Sequence, residues 1–528
     1  MLQYGAIGKV LKRLNYVELN LNTTQVDRKN SNQSDLDQIT FQKKRRATDF
    51  SYQVNTWRRT RDVSLDQSPV YIPEKKGWPV ISIVIDDKNL YDPQLGIIAN
   101  SGQKGREWER EAQVFIFQNK KTVFSSGVGL RIHGGLRRVV KPYNSFRLYF
   151  KDVYGARSMP GDLFFQGKQD PVTTLVIHTT DWPPGQPMNN PLAYDIANRV
   201  GSLAPRIRLV EMVLNHKSLG MAYVTEHLSR KQWRSRLGHN DFAFYKFRGT
   251  ISKKDEKMYI ELFWKYTDSK ERLEMERVGR QIDLDNLSRQ IFVWAFCGTT
   301  DYCQGVGVYD YRSPGAKLFW LTWDLDHSFF DYYAKRHKLK RKNWLQAAFA
   351  MFQAKGRISC GRAELFARLV RESAAYRDFC INLITGLLNH RLTRQFLLSR
   401  VAYYRTMLEN FNDPHPQYIA MLQEFMEQRP GFIRKDIVQF FNLRGVHRVR
   451  LSAPVGKEFL IDGYPVTGSY EGNYFSGYPC TIQVQAGSKK MFSHWLVDGK
   501  KWETDQLRLT VEKNMKIRAV YIQDTTRQ

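Results

Sequence analysis

The chain has 528 residues, with 81 Lys+Arg against 52 Asp+Glu, a formal charge of +29 and a pI near 9.8. An apolar fraction of 42% with 13% aromatics excludes disorder over most of it, and no run of about 18 apolar residues predicts a membrane span. Five scattered cysteines form neither a disulfide framework nor a CxxC metal pattern.

So large a surplus of cations first suggests nucleic acid. Its distribution argues otherwise. Residues 1–70 carry a net +5 and residues 448–528 a net +4, so the remaining +20 is spread through the middle. Lys43-Lys44-Arg45-Arg46 is the one tight cluster, and no helix-turn-helix, zinc-finger or RNA-binding aromatic motif occurs. We expect no specific nucleic-acid partner; an anionic surface or polymer remains a candidate.

Residues 1–77 read as a largely irregular segment rich in Asn, Gln, Asp and Arg. Charges at Lys9, Lys12 and Arg13 follow the weakly apolar start, the reverse of a secretory leader. That order is compatible with a bacterial cytoplasmic location, or with the cell surface if the start is truncated. From Trp78 the texture changes. Val80 to Ile85 reads as a buried strand, followed by strands at Val114–Phe117, Leu130–His133 and Ser145–Phe150. Glycines at 127, 129, 134 and 135 read as turn signals or as a phosphate-covering hairpin. A helix is expected from about Asn190 to Val200, with Gly201 as its stop. Strands Ile207–Leu214 and Met221–Thr225 follow, joined by a turn at Asn215-His216-Lys217.

Leu284 to Phe296 is helical in pattern and runs into a loop with Asp301. Strands Gly307–Arg312 and Lys317–Trp323 flank the turn Ser313-Pro314-Gly315-Ala316. Apolar residues then recur at three and four from Trp344 to Leu443, a helical region. Short β-like stretches separated by Gly, Pro and Asp follow. The fold class expected is α+β: a two-lobed domain at 78–445, with lobes at about 78–228 and 229–445, then a small all-β domain at 446–523.

The hairpin carries the chemistry. Asp301 precedes its first strand and Asp324 and Asp326 follow its second, so antiparallel pairing returns all three to one edge. In an extended segment Asp324 and Asp326 share a face. Clustered carboxylates suit Mg²⁺ held together with substrate phosphates, and a third can orient a hydroxyl nucleophile. Read alone, Trp323-Asp324-Leu325-Asp326-His327 fits a capped helix start equally well.

Taken together, Gly129-Leu130-Arg131-Ile132-His133-Gly134-Gly135, Asn144–Phe150, Val213-Leu214-Asn215, Gly220–Glu226, the Asp301 loop and Leu321–Asp326 resemble the CotH (spore-coat protein H) kinase-like family. The resemblance runs over about residues 80–445. It implies an atypical protein-kinase-like fold and transfer of phosphate from ATP to Ser-containing proteins, with Mg²⁺. It also implies Asp301 as the catalytic aspartate and Asp324, with Asp326, as metal ligands. Arg147 and Lys141 would hold phosphate, and Glu226 would lie in the hinge beside the adenine. The chain departs from the family pattern at Tyr143-Asn144, where a Lys pair is usual. Gln304 stands near the usual metal-binding Asn, and Met188-Asn189-Asn190 where an Arg is usual. These departures define the alternative, a catalytically degenerate scaffold with a structural or binding role and a β attachment module.

Overall fold

The computed structural model describes residues 78–135, 138, 145–167, 170–179, 186–246, 249–250, 265–266, 270–299, 306–311, 317–329, 361–411, 415–489 and 491–522. Seven strands open it: β1 (Val80–Val84), β2 (Arg110–Gln118), β3 (Lys121–His133), β4 (Ser145–Tyr149), β5 (Thr174–Thr179), β6 (Ile207–Leu214) and β7 (Lys217–Glu226). They close into a barrel in the order β1-β2-β3-β4-β5-β7-β6. Closure depends on β1, which pairs antiparallel with β2 and parallel with β6, Val80 lying opposite Glu211. Such a barrel has no free edge.

Alternation decides which side chains fill it. Val114, Ile116, Val128, Leu130, Phe146, Leu148, Leu175, Ile177, Val210 and Met212 point inward and form one core. The residues between them, including Arg131, His133, Arg147, His178 and Tyr223, therefore face outward. Two-residue turns set the register of two hairpins. Asn119-Lys120 and Asn215-His216 both adopt positive φ, the backbone of a type I′ turn. Asn215 goes further: its side chain accepts the Ile85 N–H and donates to the Ile85 carbonyl, tying the β6–β7 turn to the end of β1.

Gly127 and Gly129 serve packing. Both lie within β3, and a Cβ on Gly127 would sit 1.8 Å from the Tyr154 carbonyl oxygen, one on Gly129 2.7 Å from Glu109. Neither glycine forms the phosphate-covering turn that the sequence also allows; they admit neighbouring chain against the barrel wall.

Helix α1 (Asn189–Arg199) buries Leu192, Ile196 and Ala197, and Gly201 takes a positive φ just after it. Beyond the short helix α2 (Arg230–Leu237) come β8 (Phe242–Lys246) and β9 (Gly249–Thr250). Helix α3 (Leu284–Cys297) starts at Asp283, whose carboxylate accepts the Asn286 N–H, and stops at left-handed Gly298. Strands β10 (Val306–Asp310) and β11 (Lys317–Leu321) form the expected hairpin, in register from Val306↔Leu321 to Asp310↔Lys317. The sequence did not announce β8, which pairs with the other side of β10 in a sheet of order β11-β10-β8-β9. Asn286 pins α3 to this sheet by exchanging both hydrogen bonds with the Trp320 backbone.

Four helices complete the middle of the chain: α4 (Gly361–Glu372), α5 (Ala374–Gly386), α6 (Arg394–Asn410) and α7 (Pro416–Phe440). Together with α1 and α3 they bury one large apolar core. After α7 the chain is β-rich, with sheets of order β15-β12-β20-β17-β18 and β14-β13-β16-β19 packed around Phe459, Trp495 and Ile517. Here β12 is Val446–Ser452, β13 Glu458–Ile461, β14 Tyr464–Thr467, β15 Tyr470–Phe475 and β16 Tyr478–Val484. The remaining strands are β17 Phe492–Val497, β18 Lys500–Trp502, β19 Gln506–Val511 and β20 Met515–Tyr521.

A single π turn, Leu387–Arg391, joins the helical region to these sheets. It presents Asn389 and His390 side by side. Asn389 exchanges hydrogen bonds with the Asn473 backbone, and the His390 ring stacks on both Tyr464 and Tyr470. The sheets are thus fastened by polar, directional contacts as well as by burial. Among the described residues, no helix is long and apolar enough to cross a membrane.

Candidate active site

Strand alternation carries Arg131 and Arg147 to the same outer face of the barrel, directly opposite one another on β3 and β4. Like charges in that position repel, and the two are resolved differently. Arg131 turns to Glu109 at 2.5 Å, a carboxylate also bonded by Lys151 and by the Tyr154 hydroxyl. Burial pushes the Glu109 carboxyl up, but the hydrogen bonds from Lys151 and Arg131 outweigh it and leave it below the ordinary range.

Among the described residues Arg147 has no such carboxylate. Its guanidinium donates to the His133 imidazole Nδ1 at 2.7 Å and to the Tyr149 hydroxyl at 3.2 Å, and its buried Nε has no hydrogen-bond partner among the described residues. His133 can accept because it is neutral. Burial, then the charge of Arg147, drives its pKa well below the ordinary imidazole value. Arg138 lies close enough to feel the same field: burial, then Arg147, lowers its pKa. A half-buried cation beside a second one, with neutral partners among the described residues, favours an incoming anion.

Aromatic contacts lead from this face to the end of the hairpin. The His133 ring meets His178 edge-on at 5.1 Å, and His178 stacks on Tyr223 at 4.8 Å. His178 also contacts Trp323 at 6.2 Å, the residue before Asp324. Ring contacts thus run from the imidazole that Arg147 bonds to the residue before Asp324.

Asp324 itself has φ +61°, a left-handed backbone, so the segment after β11 is not extended and the same-face argument for Asp324 and Asp326 does not apply. Helix α1 holds this conformation. The Tyr194 hydroxyl accepts the Asp324 N–H at 3.1 Å, and Asn190 Oδ1 accepts the Leu325 N–H at 3.0 Å. Asn189 donates to the carbonyls of Asp326 and Ser328, both at 2.9 Å, and accepts from the Tyr418 hydroxyl of α7. The Asp326 side chain is buried.

The start of the Asp301 loop is secured from α3. Gly298 and Thr299 donate back to Ala295 and Trp294, and the Phe329 N–H bonds the Cys297 carbonyl. Buried Arg429 of α7 donates to the carbonyls of Ala295 and Phe296, which cancels partial negative charge at the helix end. Burial lowers the Arg429 pKa to about 10. Asp301, Gln304 and Lys141 lie outside the described residues. Among the described residues no group of three metal-ligating side chains occurs, so Asp324 and Asp326 are the described part of the expected donor set.

Glu226 is placed differently from a ligand-facing side chain. It is fully buried at the end of β7, where its carboxylate accepts the Arg206 N–H at 2.8 Å and pairs with Arg236 at 3.2 Å. Burial lowers the Arg236 pKa and Glu226 opposes the shift. The next residue, His227, is held through Gln232, which accepts its N–H and donates to the Thr174 carbonyl of β5.

Sequence reasoning singled out Arg147 and Asp324 but passed over Tyr194, Tyr223 and Arg429. Asn189 and Asn190 stood out only as a departure from a motif. A polar pair at the buried start of a helix was the available signal.

The barrel's outer face carries a half-buried arginine, linked by ring contacts to the neighbour of an aspartate with a left-handed backbone, and both are residue types that phosphate chemistry uses. The family model described as CotH kinase protein matches residues 130–441, well over half of the chain. The chain belongs to the CotH kinase family. Among solved structures it is similar to the Helicobacter pylori proinflammatory kinase CtkA, at 9% identity over 51% of this chain and 91% of that one, with a TM-score of 0.25. It is also similar to the Golgi casein kinase, at 10% identity over 60% and 73%, with a TM-score of 0.28. No curated protein matches it.

Proposed function

We propose that this CotH kinase family member is a Mg²⁺-dependent phosphotransferase that moves phosphate from ATP to a serine hydroxyl of a protein. The observation that carries this reading is Arg147, a half-buried cation whose described partners are a neutral imidazole and a tyrosine hydroxyl, linked through the rings of His133 and His178 to Trp323, the neighbour of Asp324. Nothing acidic among those described partners has to be displaced before a phosphate oxygen takes a guanidinium N–H.

The residues fit the nucleotide–metal pair that the family implies. Asp324 and Asp326 offer carboxylate oxygens, the donor type a hard cation takes, and Arg147 offers a fork for phosphate. Bound Mg²⁺ would supply neutralisation of phosphate charge. In this reading Asp324, with Asp326 and Gln304, would hold the metal, and Lys141 would add a second cation on the phosphates. Asp301 aligns the serine hydroxyl and accepts its proton as the oxygen attacks phosphorus; the bond to the ADP oxygen breaks and ADP leaves. The Glu226 carboxylate is engaged by Arg206 and Arg236, so its part beside the adenine falls to its backbone. Catalysis on such a frame is positioning and electrostatics.

The test is transfer of labelled γ-phosphate from ATP to a Ser-rich protein with Mg²⁺ present. Asp301→Asn and Asp324→Asn should each abolish it. Transfer that persists unchanged in both variants would refute the assignment.

A further inference from the structure

Three groups in the first two turns of α1 hold the segment that follows β11. Tyr194 accepts the N–H of Asp324, Asn190 accepts that of Leu325, and Asn189 donates to the carbonyls of Asp326 and Ser328. Each of the three also reaches beyond the segment or is fixed by burial. Asn190 donates to the Tyr223 hydroxyl on β7, Asn189 accepts from Tyr418 of α7, and the Tyr194 side chain is 1% exposed. Barrel, α1 and α7 thus meet at one five-residue stretch whose first residue has a left-handed backbone.

An aspartate tolerates φ near +60° better than most residues but does not choose it unaided. Without the Tyr194 and Asn190 acceptors, two adjacent N–H groups in a mostly buried place would lack partners, and the chain would relax toward an extended backbone. That relaxation would re-aim the Asp324 side chain, because φ sets the direction of Cβ.

We propose that Tyr194 and Asn190, backed by Asn189, act as positioning residues that fix the Asp324 backbone, so that metal-dependent nucleotide affinity is set by α1. The proposal rests on the reading of Asp324 as a metal ligand. It assigns α1 a task beyond packing: displacement of this helix, by contact on β7 or α7, would misplace the aspartate without touching the nucleotide.

Tyr194→Phe removes one acceptor and keeps the packing, and Asn190→Ala removes the second. ATP binding is measured by calorimetry with Mg²⁺ and with EDTA, alongside amide hydrogen exchange of residues 323–328 in the ligand-free chain. Each variant should lose about tenfold in affinity with Mg²⁺, the equivalent of one buried hydrogen bond. Affinity in EDTA should hold, and exchange at 324 and 325 should quicken. In an Asp324→Asn background, Tyr194→Phe should have no further effect on affinity. A Mg²⁺-dependent wild type whose variants bind and exchange normally overturns the clasp alone. Equal losses with and without Mg²⁺ also overturn it, since they signal general loosening. A wild type that ignores Mg²⁺ overturns the metal reading of Asp324 and the positioning role with it.

Discussion

Arginines stand on outward strand faces in two parts of this molecule, and they are treated in opposite ways. On the C-terminal sheet Arg448 and Arg450 of β12 share Glu471 of β15, all three in solvent. On the barrel Arg147 is half-buried, beside a neutral histidine, while its cross-strand neighbour Arg131 takes the Glu109 carboxylate. Exposed pairs of the first kind contribute little because water already solvates both partners. Among the described residues the second arrangement leaves part of a desolvated cation's hydrogen-bonding capacity unused, which is poor for stability and good for binding an anion. Net charge alone hides this difference: +29 describes both regions equally.

The comparison can be broken or sharpened by substitution. The largest effect should come where an acid is fully buried and ion-paired. Glu226→Leu leaves Arg206 and Arg236 without their buried partner and should cost about 3–5 kcal/mol in a denaturant melt. Arg147→Met should instead leave stability nearly intact and weaken ATP binding by about ten- to a hundredfold, the worth of charge-assisted hydrogen bonds. A smaller effect attaches to His133. Its folded pKa is depressed, so below the unfolded imidazole value near 6.5 the unfolded chain binds a proton that the folded chain refuses. Stability should therefore be full above that pH and fall as pH drops below it, and His133→Asn should flatten this part of a pH series of thermal midpoints. The smallest effect belongs to Glu471→Gln, which should leave the melt unchanged; a clear drop would show that the exposed pair is worth more than solvent screening allows.

How much of this was legible in the sequence depends on the range of the interaction. The β10–β11 hairpin was readable because alternation and a Ser-Pro-Gly turn are local signals, and the positive-φ turn at Asn215-His216 likewise. Barrel closure was not, since Val80 meets Glu211 across more than a hundred residues with nothing local to announce a parallel pair. Strand β8 is only five residues long, and its place beside β10 is likewise a long-range fact. At the site, alternation carried Arg147 to one face of its strand but could not say whether that face met solvent or helices. Asp324 was misread as extended because its backbone is set by Tyr194, 130 positions away. Asn189 and Asn190 looked like losses relative to a motif, and their hydrogen bonds show what these residues do instead.

The account's central claim is that the face of Arg147 and the end of the hairpin at Asp324 form one nucleotide site. Calorimetric titration of ATP into wild type, Arg147→Met and Asp324→Asn, each with Mg²⁺ and with EDTA, addresses it directly. The wild type should bind more tightly with Mg²⁺, Asp324→Asn should lose that increment alone, and Arg147→Met should weaken binding under both conditions. Equal affinity in all three proteins, or no binding by the wild type, would contradict the claim.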